Sequence, residues 1–236
     1  MSRAWASFER GRALLREERF FDAIEPLREA MLGFREDDDW FDELLAGRRL
    51  VEALRKSKDP RAARATAEEM LARAIELGEP AFAASNRRDL ALILADLGER
   101  ETALRALEHA AEEARASNAE QLDSILLDLG QLARRFGRYE HAVTVFQEIA
   151  ERKEREGDVH GHAYALSEIG YSYITSGEEA RGIDYLDRAA TAAEQAGGSR
   201  DAVRWRRQVD AARGVAAKEP ASIEQPESGE DAYDLS

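Results

Sequence analysis

Histidines and acidic clusters are where catalysis or metal binding would first show in a chain without cysteine. His160 and His162 form an H-x-H pair. Two imidazoles supply half of a tetrahedral zinc site, and with no thiolate in the sequence nothing at matching spacing completes it. The neighbouring Glu156 and Asp158 read as helix-capping acids. The run EDDDWFDE at 36–43 has neither the central glycine nor the late glutamate of a calcium loop. Acids at a helix start favour its positive dipole end, which accounts for the run without a ligand. His109 and His141 have no serine and acid spaced for a relay, and no glycine-rich phosphate loop is present. The residues predict no catalytic centre, no cofactor and no metal site. What remains is a supply of arginines and aromatics whose use depends on the elements that carry them.

Those elements read as helices. Ala, Leu, Glu and Arg dominate, and no alternating Val/Ile-rich run appears. Asp59-Pro60 is an N-cap and first-turn pair, and Gly78-Glu79-Pro80 ends one helix and starts the next. Gly98, Gly137 and Gly177 stand where helices should stop, while Gly157-Asp158 and Gly197-Gly198-Ser199 join a stop to a new cap. The punctuation predicts helix pairs at about 3–35, 39–77, 80–117, 119–156 and 159–196, then a capping helix at 200–217. Its apolar stripe is Ala202, Trp205, Val209, Ala212 and Ala216, and Arg200, Arg204 and Arg207 occupy the solvated face. Residues 1–217 form one solenoid domain in this reading. Residues 218–236, with two prolines and few large apolar side chains, form a disordered acidic tail.

Composition narrows the function classes. At 236 residues and 44% hydrophobic content the chain fits a soluble fold. The N-terminus MSRAWASFERGRALLREE has no apolar core, so a secretory signal is not expected. No stretch is long and uncharged enough to span a membrane. A cytoplasmic location and no membrane partner are expected. Net charge is −14, of which the tail, with six acids against one lysine, carries five charges and the body nine. Phosphate backbones are repelled on average, so nucleic acid is not an expected partner.

The pairs repeat a pattern. One unit runs Leu126-x-x-Leu129-Gly130-x-x-Ala133, then Gly137, Tyr139, Ala142-x-x-x-Phe146 and Ile149. The next runs Leu166-x-x-Ile169-Gly170-x-x-Tyr173, then Gly182-x-x-x-Leu186 and Ala189. Small residues twelve apart recur at 11 and 23, 91 and 103, 130 and 142, 170 and 182. The sequence resembles the tetratricopeptide repeat, over roughly residues 3–196. The spacing of 39 and 40 between the last three units, with GDVHGHAYAL between pairs, resembles its longer, roughly 40-residue subclass rather than the usual 34-residue form. The second unit departs: Gly47 fits with Leu50, but Ala62 and Ala63 lie fifteen and sixteen residues on, which reads as an extra turn in KSKDP.

The resemblance implies an all-α, right-handed solenoid of five helix pairs plus the C-terminal cap, with binding rather than catalysis as its function. It also implies that the first helix of each pair lines a concave groove. Carried onto this sequence, the groove shows Trp5, Phe8, Arg12 and Arg16. It continues with Phe41, Leu44, Arg48 and Val51, then Ser85, Arg88, Leu92 and Asp96. Ser124, Leu127, Gln131, Arg134, Arg135, Tyr164, Ser167, Tyr171 and Ile174 complete it. The same aromatics, Tyr171 above all, have a second reading as packing between units. Chaperone-binding members clamp a terminal carboxylate with lysines and asparagines. The matching places here hold Phe8, Arg12, Leu45, Ser85 and Asp89, so no such clamp is expected. Arginine grips carboxylates and aromatics anchor interfaces, so the expected partner is a protein or an acidic peptide with apolar anchors. The chain's own tail is a second candidate, against the alternative that the tail only solvates. Two functions follow. One is an adaptor or scaffold holding a peptide or partner helix in the groove. The other is a ligand-responsive regulatory subunit controlling a separate effector such as a transcription factor or nuclease.

Overall fold

Runs of 13 to 18 residues rich in Ala, Leu, Glu and Arg, separated by turns of two to five residues, fold as consecutive antiparallel helices. The computed structural model describes residues 2–214. Within them lie α1 (Arg3–Arg16), α2 (Phe20–Glu36), α3 (Trp40–Lys56), α4 (Pro60–Glu76), α5 (Pro80–Asp96) and α6 (Arg100–Ala116). They continue as α7 (Leu122–Arg135), α8 (Tyr139–Glu156), α9 (Val159–Ser176), α10 (Glu179–Gln195) and α11 (Arg200–Ala212). No strand occurs among the described residues. The helices pack in sequence order as an α-solenoid. Asp59, Asp158 and Ser199 accept backbone N–H bonds from Ala62, Gly161 and Ala202, the capping that their positions foretell. The acidic run at 36–43 also resolves into a cap, with Asp39 accepting from the Asp42 amide.

Every turn between α1 and α11 contains a left-handed residue, at 18, 38, 58, 78, 98, 118, 137, 157, 177 and 197. The interval is 20 residues, once 19, so one helix and its turn are the true period. Glycine fills the later sites, but Glu18 (φ 56°), Asp38 (φ 58°), Lys58 (φ 65°) and Asn118 (φ 50°) fill the others. A side chain in this region strains against its own carbonyl. Lys58 is exposed, so Lys58→Gly removes strain and no contact. It should stabilise the fold by about 0.5–1 kcal/mol, seen as a higher urea midpoint.

The helix crossings explain the repeat. A methyl group at Gly11 would lie 2.5 Å from Leu27, and one at Gly130 would lie 2.6 Å from the Phe146 ring. Gly170 and Gly182 meet backbone to backbone: a methyl on either would lie 2.9 or 2.7 Å from the other's carbonyl oxygen. The second unit requires a correction. Its turn, 57–59, is no longer than those at 37–39, 77–79 and 97–99, so KSKDP holds no extra turn. Counting by the period places the crossing at Val51 and Ala63, twelve residues apart, in line with 11, 91, 130 and 170 and with 23, 103, 142 and 182. Val51 and Ala63 are both buried. The residue sixteen after the crossing is Leu27, Leu107, Phe146 or Leu186 in the other units and Ala67 here, so a larger residue on α3 is matched by a smaller one on α4. Gly47 lies one turn earlier and faces Met70 and Met31.

Two buried clusters meet on α5. Phe8, Leu27, Phe34, Leu44, Leu50, Met70 and Ile93 belong to one, and Leu94, Leu107, Ile125, Phe146, Ile169 and Leu186 to the other. The closing helix seals the second cluster with Ala202, Trp205 and Val209. Ala212 is exposed, and Ala216 and the tail at 218–236 lie outside the described residues. Ion pairs that the apolar stripe did not announce fasten α11 to α10: Arg206 to Glu194 (2.9 Å) and Asp187, and Arg213 to Asp184 (3.1 Å) and Asp187 (2.8 Å).

Candidate binding surface

The odd-numbered helices adjoin one another as a continuous wall. Besides its sequence neighbours, α3 approaches both α1 and α5, and α5 approaches α7. Side chains reach between them in a regular ladder. Arg48 of α3 binds Asp89 of α5 (3.0 Å), Arg88 of α5 binds Asp128 of α7 (2.5 Å), and Arg134 of α7 binds Glu168 of α9 (2.8 Å). A parallel rung joins Arg55 to Asp96 (2.6 Å), and the Tyr171 hydroxyl donates to Gln208 Oε1 of α11 (3.2 Å). The three acids share one register, two residues before the crossings at Ala91, Gly130 and Gly170. That recurrence is the signal by which Asp128 and Glu168 stood to be found in the sequence as partners of the groove arginines.

The rungs change the role of three predicted arginines. Arg48, Arg88 and Arg134 are each paired with a carboxylate of the following unit, so they join units. The last rung is the most buried. Glu168 is 6% exposed, and Arg134 also lies 5.9 Å over the Phe146 ring. The contact is close but poorly aligned, leaving Arg134 Nη1 and Glu168 Oε2 without a directed hydrogen bond, so charge holds the pair. Burial, and next the charge of Glu168, push the Tyr164 phenol up to about 12.

The other predicted residues separate into wall and core. Phe8 is buried against Trp5 and Phe34, with its ring centroid 5.6 Å from the first and 6.0 Å from the second, so it belongs to the core. Trp5 is half-buried, and Arg12 lies over the Phe8 ring and pairs with Glu9 (2.8 Å). Leu44 and Val51 are buried too, because the register there is one turn from that implied by Gly47. The corrected register leaves Leu45, Arg48, Glu52 and Arg55 half-buried on α3. Ser85 and Ser167 are buried, whereas Leu92, Ser124, Leu127, Gln131, Tyr171 and Ile174 are half-buried. Arg16 and Arg135 are exposed with no ion-pair partner among the described residues. Phe41, 50% exposed, and Tyr164, 38% exposed, are the large apolar side chains most open on odd helices beside Val159. Phe41 sits at the helix-start rim in a perpendicular cluster with Trp40 (5.9 Å) and Phe82 (5.4 Å), two residues that the repeat pattern did not single out.

The histidines have structural uses. His162 Nδ1 lies 3.0 Å from the Ala150 carbonyl, and Asp158 is occupied as a cap. Among the described residues no three His, Cys, Asp or Glu side chains converge as a metal site.

Comparison with solved structures places the architecture. A kinesin light chain-like protein of nearly identical TPR-like repeats from Podosopora anserina superposes with a TM-score of 0.70 at 12% identity, covering 84% of this chain and 99% of that one. The fold is tetratricopeptide-like. A signal transduction ATPase from Pyrococcus horikoshii with a tetratricopeptide repeat sensor gives 0.66 at 15% identity over 90% of this chain and 33% of that one. A Rap protein complexed with competence and sporulation factor gives 0.62 at 13%, over 89% and 63%. No protein-family model and no curated protein matches the sequence.

Proposed function

We propose that this chain is a protein-interaction scaffold whose inner wall of odd helices holds a peptide or partner helix. We also propose that it belongs with the long-repeat subclass and acts in the cytoplasm without an enzymatic activity of its own. The observation that carries the reading is the pairing of two open aromatic positions, Phe41 and Tyr164, with a wall between them whose charges are largely neutralised by rungs. Aromatic anchors beside desolvated, paired charges are where interface energy concentrates. The half-buried Leu92, Leu127 and Gln131 lie on helices between them and offer apolar and amide contacts to an extended chain. The Rap protein's complex with competence and sporulation factor supports the use of this architecture for ligand capture. No described helix is long and apolar enough to cross a membrane.

Affinity capture from native lysate tests the reading. A chain carrying Phe41→Asp and Tyr164→Asp should retain at least tenfold less of the specific partner than wild type, while its circular dichroism stays unchanged. Undiminished capture overturns it. The sensor arm of the Pyrococcus ATPase favours a second reading, a regulatory subunit for a separate effector. In that case small-angle scattering changes when the partner binds, whereas for a rigid scaffold the profile of this chain does not.

A further inference from the structure

Charge is not distributed evenly along the inner wall. Across α3, α5 and α7 the arginines Arg48, Arg55, Arg88 and Arg134 are all committed to rungs. At the closing end this stops. Arg200 and Arg207 are exposed and have no acidic partner among the described residues, and Arg204 has only Asp201 of its own helix, at 3.2 Å. The Tyr171–Gln208 bond sets this side of α11 against α9, and Tyr164 stands two turns before Tyr171 on that helix. This face of α11, with Arg200, Arg204 and Arg207 against Asp201 and Asp210, is therefore cationic in excess and lies beside Tyr171 on a protein of net charge −14.

The chain continues past the described helices from Gly214 at this same end. Residues 215–236 hold Glu219, Glu224, Glu227, Glu230, Asp231 and Asp234 against Lys218, with Tyr233 and Leu235 interleaved among the last acids. Twenty-two residues extend up to roughly 70 Å. The helix that they would run back along, α11, is 13 residues or about 20 Å. Tethering gives such a segment an effective concentration on the order of millimolar, so weak contacts suffice.

We propose that the C-terminal segment, through Glu227 to Leu235, docks on the Arg204, Arg207 and Gln208 side of α11 and the adjoining Tyr164 and Tyr171. Carboxylates meet guanidinium groups left without acids, and Tyr233 and Leu235 supply apolar anchors. The contact itself is independent of any external partner. Its regulatory meaning, occupation of one end of the binding wall, rests on the scaffold reading above.

Because the sequence has no cysteine, Ser228→Cys gives the full chain a single attachment point for a nitroxide. The amide resonances of Tyr164, Tyr171, Arg204 and Arg207 should lose at least half their intensity relative to the reduced label, with no change on dilution. About 0.5 M salt, or Arg204→Glu with Arg207→Glu, should restore them. Intensities that match those of α1 to α4 overturn the proposal and leave the segment a solvated arm. Broadening that fades on dilution also overturns it, by making a second copy the donor of the segment. The experiment contains no external partner, so its failure leaves the scaffold reading standing, and a failed capture experiment leaves this contact standing.

Discussion

Gly170→Ala should destabilise the fold by about 3 kcal/mol, at the upper end of what overpacking costs. The added methyl would lie 2.9 Å from the Gly182 carbonyl oxygen and 3.1 Å from Leu186. The first neighbour is backbone, so no rotamer change relieves it, and α9 and α10 must separate. Gly47→Ala provides the contrast. Its methyl meets Cγ and Sδ of Met70, an unbranched side chain rather than backbone, and alanine gains about 1 kcal/mol over glycine inside a helix. That variant should stay within about 1 kcal/mol of wild type. Urea midpoints distinguish the two. In a solenoid the damage should also be local, with faster amide exchange in α9 and α10 and little change in α1 to α4. Equal costs at the two glycines would contradict the crossing geometry.

Arg134→Leu should cost about 3–5 kcal/mol, because it strands a carboxylate in the wall. Glu168 is 6% exposed, with Arg134 as its only ion-pair partner among the described residues. Replacing both residues by leucine removes the charge together with its partner, and the double variant should recover most of the loss. At the Arg48–Asp89 rung both side chains keep about a quarter of their exposure, so the matching single change should cost less, about 1 kcal/mol. Unfolding midpoints for the cycle decide. If the double variant is no better than the single one, the rung is not what Arg134 is for. Reversing Arg88 or Arg134 thus damages the fold before it reports on binding, and the wall is better probed at Phe41, Gln131, Arg135 and Tyr164.

The solenoid was legible in the sequence because its demands are local. Gly130 and Ala142 are small where helices cross, Asp59 and Ser199 carry caps, and Gly137 and Gly177 allow the left-handed turn. The second unit was misregistered because Gly47 looks like a crossing glycine while the crossing is made by Val51, its bulk offset by Ala67. A compensated pair leaves no small-residue mark. Lys58 and Glu18 stand where glycine would have announced φ above zero, and Asp59-Pro60 still marked the turn at 57–59. The wall was half legible. The repeat's spacing placed Gln131, Arg134 and Tyr164 on odd helices, but whether an arginine is free depends on acids some 34 to 41 residues away. Such pairing is tertiary, and composition does not reveal it. The Trp40–Phe41–Phe82 cluster likewise exists only once α3 and α5 stand side by side.

The central claim is that partners are held on the inner wall of odd helices. A photo-crosslinking residue tests it most directly when placed at Gln131, half-buried on α7, and in parallel at Gln147, exposed on the outer helix α8. The captured partner is expected to crosslink from position 131 and not from position 147. Crosslinking from 147 with none from 131 would place the partner on the outer face and contradict it.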